Sequence, residues 1–211
     1  MKNKLAPYLP LAWLLSIPVL NICYGFLNRG GSDTAQLITA WDRLIPFVPA
    51  FIIPYLIWYP YVFLMFVVFF RKDRNVYYRS LTLTCVGLAV CYLVFYLYQT
   101  TFPRPEIGQD GVLNWLVGIV YQMDAPYNCF PSIHVLTSYI VVKAAYQCKL
   151  SRLANAAVCA TSGIIILSTL FVKQHVLMDV VGGIVLAEML YFWIGRKIFK
   201  PGREKRAAHG L

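Results

Sequence analysis

The sequence predicts an all-α fold: a polytopic membrane bundle of six transmembrane helices with both termini cytoplasmic. Three observations carry this. The chain of 211 residues is 59% hydrophobic and 13% charged, with a mean hydropathy of +0.61; soluble domains carry roughly 25% charged residues. The apolar residues form six runs, each close to the ~20 residues that cross a bilayer. The basic residues then alternate between the two sides that six crossings define. A single bundle over residues 1–211 is the natural domain organisation.

The runs are taken in order. The first, 7–27, follows the basic start "MKNK". It is too long for a signal-peptide core and no small-residue cleavage pattern follows, so it reads as a retained span. The segment "TAQLITAWDRLIPF" predicts a short helix lying in the interface. The second span, 46–70, contains Pro46, Pro49, Pro54 and Pro60, which predicts a kinked or partly interfacial start. The third is 80–100. Residues 111–124, "GVLNWLVGIVYQMD", are too few to cross and predict an interfacial or re-entrant segment capping a site, with Asp124 in its exit loop. The last three spans are 131–148, 154–173 and 176–195.

Charge sets the orientation. Lys2, Lys4, Arg71, Lys72, Arg74, Arg79, Lys143, Lys149, Arg152, Arg196, Lys197, Lys200, Arg203, Lys205 and Arg206 fall on one side, fifteen in all. Arg29, Arg43, Arg104 and Lys173 fall on the other, four in all. The positive-inside rule places the first set in the cytoplasm. The net charge of +10 is thereby explained by topology, and no nucleic-acid partner is expected. Tyr and Trp, abundant here, suit the two interfaces.

The six cysteines form neither CxxC nor a Cys/His metal spacing, so no metal site is expected. They read as small packing residues. Cys23 and Cys129 fall on the same side of the membrane, which leaves a pairing open as the minor alternative. No Walker loop, GxSxG or other cofactor motif is present, and no cofactor is expected.

Three stretches carry chemistry, and the predicted topology puts all of them on the non-cytoplasmic face. In "QTTFPRPEIG", Arg104 stands between Pro103 and Pro105. A guanidinium fork suits phosphate oxygens, and the prolines stiffen its loop; the plain alternative is a cation bound to lipid headgroups. In "YNCFPSIH", Pro131 suits the first turn of a helix, whose free N–H groups and dipole attract an anion. Ser132 adds a hydroxyl, and His134 lies on that first turn; a merely solvated histidine is the alternative. In "STLFVKQHVLMDVVGG", His175 and Asp179 are four apart and share a helix face. The carboxylate can hold one imidazole nitrogen and leave the other nucleophilic; a structural His–Asp pair is the alternative. Ionisable groups inside a span are functional candidates by default, and Lys173 sits beside this pair. Gly182 and Gly183 permit close helix packing just below. Glu188, deeper in the last span toward the cytoplasmic side, reads as a paired structural carboxylate or as one near the interface.

Together these residues make a kit for phosphoryl transfer without metal. Arg104, Lys173 and Ser132 would hold phosphate. His175, oriented by Asp179, would attack phosphorus, and His134 would serve as acid and then base.

The three stretches resemble the signature motifs of the type 2 phosphatidic acid phosphatase superfamily, KxxxxxxRP, PSGH and SRxxxxxHxxxD. They stand here as "LYQTTFPRP", "PSIH" and "STLFVKQHVLMD", within residues 97–179. The resemblance implies a six-span core, His175 as phosphohistidine nucleophile, His134 as acid/base, Asp179 as orienter, and Arg104 and Ser132 on phosphate. The chain departs from the patterns at Leu97, Thr169 and Ile133, where the family has lysine, arginine and glycine. With two cations missing, Lys173 is expected to replace one. The pattern with "KQH" is similar to the inositol phosphorylceramide synthase and sphingomyelin synthase branch, which implies transfer of a phosphorylated headgroup, inositol phosphate among them, to a lipid alcohol. Hydrolysis of a lipid phosphate monoester, of phosphatidate or isoprenyl phosphate type, is the alternative within the same chemistry. A non-catalytic lipid-binding or transport protein is the alternative of another class. In every case the expected partner is a membrane lipid.

Overall fold

The structure, a computed structural model, describes residues 6–30, 33–108 and 110–195. The predicted basic termini, Lys2 and Lys4 and the run from Arg196 to Arg206, lie outside the described residues. Eight α-helices and no strand are found among the described residues. A 3₁₀ stretch, Ala6–Leu15, leads into α1 (Ser16–Leu27). The short α2 (Ala40–Leu44) follows, then α3 (Ile52–Lys72), α4 (Arg74–Leu97), α5 (Val112–Met123), α6 (Ile133–Gln147), α7 (Arg152–Phe171) and α8 (Leu177–Leu190), which ends in a π turn at Tyr191–Gly195.

Local chemistry fixes the helix ends. Asp73 caps α4, accepting from the N–H groups of Asn75 (2.8 Å) and Val76 (3.2 Å), an N-cap bond. That cap lies before Arg74 and Arg79, so α4 starts six residues ahead of the apolar run predicted at 80–100; hydropathy locates the apolar part of a helix, not its cap. Ser151 caps α7 through Ala154 N–H (3.2 Å). The interfacial helix predicted over 34–47 shrinks to the five residues of α2, where Asp42 Oδ2 accepts from Thr39 N–H (2.8 Å) and Oγ1 (2.6 Å). The proline-rich start of the second span is a 3₁₀ turn, Pro49–Phe51, and Pro60 lies inside α3.

Five helical stretches are long and apolar enough to cross a membrane: Pro7–Leu27, Pro49–Lys72, Arg74–Leu97, Arg152–Phe171 and Leu177–Ile194. The predicted fourth span, 131–148, is not among them: it forms α6, whose 15 residues span only about 22 Å at 1.5 Å per residue. It is also the central helix, packed on α3, α4, α7 and α8. Leu136, Ile140, Val141 and Ala144 are fully buried along it, against Phe66, Leu83 and Ile165 of its neighbours.

The outward faces carry bare apolar residues: Phe26, Leu64, Leu93, Val185 and Phe192 are all exposed. A water-facing surface of that kind is an aggregation liability; in lipid it is the expected lining. The chain is an all-α, multi-pass membrane bundle. Lys143 and Glu188, both partly exposed on α6 and α8, pair at 2.8 Å, and Tyr139 Oη also donates to Glu188 (2.6 Å). Glu188 is thus paired, as one of the two readings of the sequence had it. All six cysteines are free, Cys23 exposed and Cys129 buried, so the minor alternative of a Cys23–Cys129 bridge is not what the structure holds.

Two glycines set the approach of α8 to the start of α6. A Cβ on Gly182 would sit 2.4 Å from the Phe130 ring. One on Gly183 would sit 2.9 Å from both the Ser132 carbonyl oxygen and Val135 Cβ. This contact brings the "YNCFPSIH" stretch beside the helix that carries Asp179.

Candidate functional site

Helix α8 begins on two carboxylates. Asp179 Oδ2 accepts from Val176 N–H (3.0 Å), and Asp42 Oδ1 accepts from Leu177 N–H (2.7 Å). These satisfy orphan donors at the positive end of the helix dipole. The same Asp179 Oδ2 meets His175 Nδ1 at 3.1 Å. Asp179 is fully buried and His175 nearly so. An ionised carboxylate is acceptor-only, so Nδ1 carries the proton and Nε2 keeps its lone pair. The loop before α8 is clamped as well, since the N–H groups of Gln174 (2.9 Å) and His175 (3.1 Å) both donate to Thr169 O.

His134 stands on the first turn of α6. Its ring centroid is 5.6 Å from that of His175. The rings of Tyr55 and Trp58 of α3 pack tilted against it, with centroids at 4.6 Å and 4.0 Å. Trp58 is itself locked to α6, as its Nε1–H donates to Thr137 Oγ1 (2.8 Å). Ser132 is fully buried, and its Oγ caps α6 by accepting from Val135 N–H (3.4 Å). Its own N–H donates to Asp179 O (3.1 Å), which ties the second motif to the third.

Arg104 is held on three sides. Nη1 donates to Tyr121 O (3.1 Å), Nη2 donates to Gln174 Oε1 (2.6 Å), and the guanidinium lies 4.3 Å from the Tyr121 ring centroid. Burial pushes the Tyr121 hydroxyl up to about 12, with Arg104 acting against it. The Tyr121 phenol therefore stays neutral and donates to Val172 O (2.7 Å).

These groups line one cavity of about 370 Å³, which His134, His175, Arg104, Gln174, Tyr55 and Trp58 share with Asp124, Asn128, Cys129 and Ile133. Tyr24 and Asn21 of α1 and Val120 and Met123 of α5 complete the wall. Asp124 Oδ1 accepts from Tyr24 Oη (2.6 Å) and Asn28 Nδ2 (2.7 Å), so the exit loop of α5 is fastened to α1. Burial pushes the Cys129 thiol up, and the Asp179 carboxylate adds to this; it is a poor nucleophile.

Four of the six residues picked from the sequence thus come together: His134, His175 and Arg104 in the cavity wall and Asp179 directly behind. Ser132 is adjacent, beneath the wall, as a helix cap. Lys173 is placed elsewhere. Its backbone has φ 52°, and its ammonium donates to Asp42 O (3.2 Å) and Ile45 O (2.5 Å). Burial pushes it below its ordinary value, with Asp42 pulling the other way. Gln174, Tyr55, Trp58 and Asp42 are the site residues that sequence reasoning passed over. Only Gln174 had a visible signal, its place next to His175.

Residues 45–193 match a family model described as the PAP2 superfamily. The chain belongs to the PAP2 superfamily. This superfamily generally comprises phosphatases and phosphotransferases, and membership points to lipid phosphatase or phosphotransferase activity. No curated protein and no solved structure matches it significantly. The PAP2 match begins just before α3 and runs through α8, so it takes in both histidines, Arg104 and Asp179. It leaves out α1 and α2, although Tyr24 and Asn21 line the cavity and Asp42 caps α8.

Proposed function

We propose that this PAP2 protein is a metal-independent lipid phosphotransferase or phosphatase that works through a phosphohistidine at His175. The observation that supports this best is His175 held through Nδ1 by the buried Asp179, with His134 5.6 Å away in the same cavity wall. In the first step His175 Nε2 attacks phosphorus. The P–N bond forms as the bond to the departing lipid oxygen breaks, and His134 gives that oxygen its proton. In the second, His134 takes a proton from the acceptor, water or a lipid alcohol, whose oxygen displaces Nε2 from phosphorus. Arg104 faces the phosphate oxygens, whose charge builds most in the transition state. The chemistry would lie on the extracytoplasmic or lumenal side, with α6 bringing the crossings to six, both termini cytoplasmic, and Ser132 shaping the phosphate end of the cavity.

The test is His175→Ala in the full-length protein in detergent micelles, assayed by release of labelled diacylglycerol from phospholipids. Turnover should fall by roughly 10³-fold or more with the melting temperature retained. Unchanged turnover would remove the nucleophile, and the reading with it. Wild-type protein given a labelled phosphodiester lipid separates the two products: a new labelled lipid formed only with an added lipid alcohol identifies transfer, and water-soluble label alone identifies hydrolysis. A protein that binds lipid yet turns over none would be the non-catalytic binder or transporter.

A further inference from the structure

Arg104 Nη2 donates to Gln174 Oε1 at 2.6 Å. A guanidinium has no acceptor, so this bond fixes which way the amide faces. Gln174 Nε2 is thereby turned from Arg104, and it is buried with no partner among the described residues. The residue is 5% exposed and belongs to the cavity wall. Such a buried, unpaired N–H is uncommon in folded proteins and calls for an explanation. It is also well placed, because Gln174 and His175 hang from the same clamp on Thr169 O.

Charge around the cavity sharpens the point. Arg104 is the one Lys or Arg among the described residues of its wall, Asp124 lies in that wall, and Asp179 stands behind His175. Lys173, next in sequence to Gln174, is bound to Asp42 O and Ile45 O instead. A phosphate monoester carries about −1.5 to −2 at neutral pH, and a diester carries a single charge. One cation with two carboxylates close by favours the diester.

We propose that Gln174 Nε2 is a phosphate-oxygen donor, preset by Arg104, and that this neutral amide in place of a second cation matches the cavity to a phosphodiester lipid. The assignment rests on the phosphohistidine reading above. Arg104 and Gln174 form one donor face: the guanidinium supplies charge, the amide supplies direction. A diester oxygen meeting Nε2 gives that donor the partner it lacks.

The experiment compares kcat/KM for diacylglycerol release from phosphatidic acid, a monoester, with that from the best of three diesters: phosphatidylinositol, phosphatidylcholine and phosphatidylglycerol. Full-length wild type should favour the diester. Gln174→Leu should lower its kcat/KM by about tenfold, the scale of one hydrogen bond to a charged group. Gln174→Lys should raise the monoester-to-diester ratio by about tenfold and Gln174→Glu should lower it, since only a group touching phosphate makes the ratio follow its charge. Each ratio is taken within one sample, so loss of folded protein cancels. A ratio unmoved by both charged variants, or a wild type that favours phosphatidic acid, overturns the assignment alone. Wild type that, with a lipid alcohol present, releases diacylglycerol from none of the four lipids and no phosphate from an isoprenyl phosphate overturns the phosphohistidine reading, and this assignment with it; turnover of the isoprenyl monoester alone overturns only this assignment.

Discussion

Asp179→Asn gives the most discriminating test of how His175 is activated. In the structure one oxygen, Oδ2, receives both His175 Nδ1 (3.1 Å) and Val176 N–H (3.0 Å), while Oδ1 is buried without a partner among the described residues. An asparagine can therefore put its carbonyl where Oδ2 stands and keep both bonds. The flipped amide would face Val176 N–H with a donor, which excludes it. The imidazole tautomer should survive, and what is lost is the negative charge behind the ring. A hydrogen bond to a charged group is worth about 1.5–3 kcal/mol, so kcat should fall by roughly 10–150-fold. A reversed tautomer would cost nearer 10⁴-fold, the scale known from serine proteases. Asp179→Ala removes both bonds and also uncaps α8; it should fall further than Asn and lose about 1–2 kcal/mol of stability besides. The assay is diacylglycerol release at saturating lipid beside a thermal melt of each variant. A rate for Asp179→Asn within about twofold of wild type, less than a single neutral hydrogen bond is worth, refutes the charge argument. A rate as low as that of His175→Ala refutes the preserved tautomer.

Other consequences are open to measurement. Gly183→Ala should lower the melting temperature, by about 1–3 kcal/mol of stability, because the new methyl meets the rigid Ser132 carbonyl and Val135 at 2.9 Å. Asp42→Ala frees Leu177 N–H at the start of α8 and the Thr39 donors. It should cost about 1–2 kcal/mol and reduce kcat more than it raises KM, since Asp42 reaches the chemistry only through the position of the His175 loop. Trp58→Phe keeps a ring on His134 but drops the bond to Thr137; a lowered kcat with unchanged lipid binding would mark Trp58 as positioning the acid/base. Chelator added to purified wild type should leave the rate unchanged, as the two-histidine mechanism needs no metal; restoration by added Mg²⁺ or Zn²⁺ would falsify that mechanism.

Much of the arrangement could be read from residue types and spacing. His175 and Asp179 are locked together by helix geometry alone, so a four-residue interval was enough to pair them. Their meeting with His134 and Arg104 followed from counting spans and charges. Lys173 and Gln174 show where that reasoning stops. A cation was the natural choice to replace a missing phosphate ligand, and a neutral amide was not. Yet the turn after α7 gives Lys173 a positive φ and sends its ammonium to carbonyls of Asp42 and Ile45, while Gln174 reaches the cavity. Which of two neighbours faces a site depends on one backbone torsion. Asp42 was equally invisible, because its bond to Leu177 N–H joins residues 135 apart in sequence.

The sequence by itself determined that this is an all-α membrane protein and singled out His134, His175, Arg104 and Asp179, which the structure brings together. Apolar run length answers to bilayer thickness, and an ionisable group is too costly in lipid to be left where it has no use. Tertiary structure alone decided that α6 is short and central, that Tyr55 and Trp58 hold His134, that α1 closes the cavity through Asp124, and that Gln174 rather than Lys173 joins His175 in the cavity wall. Those contacts join distant segments through shape and hydrogen-bond direction, and neither is written in the hydropathy or spacing of any one stretch.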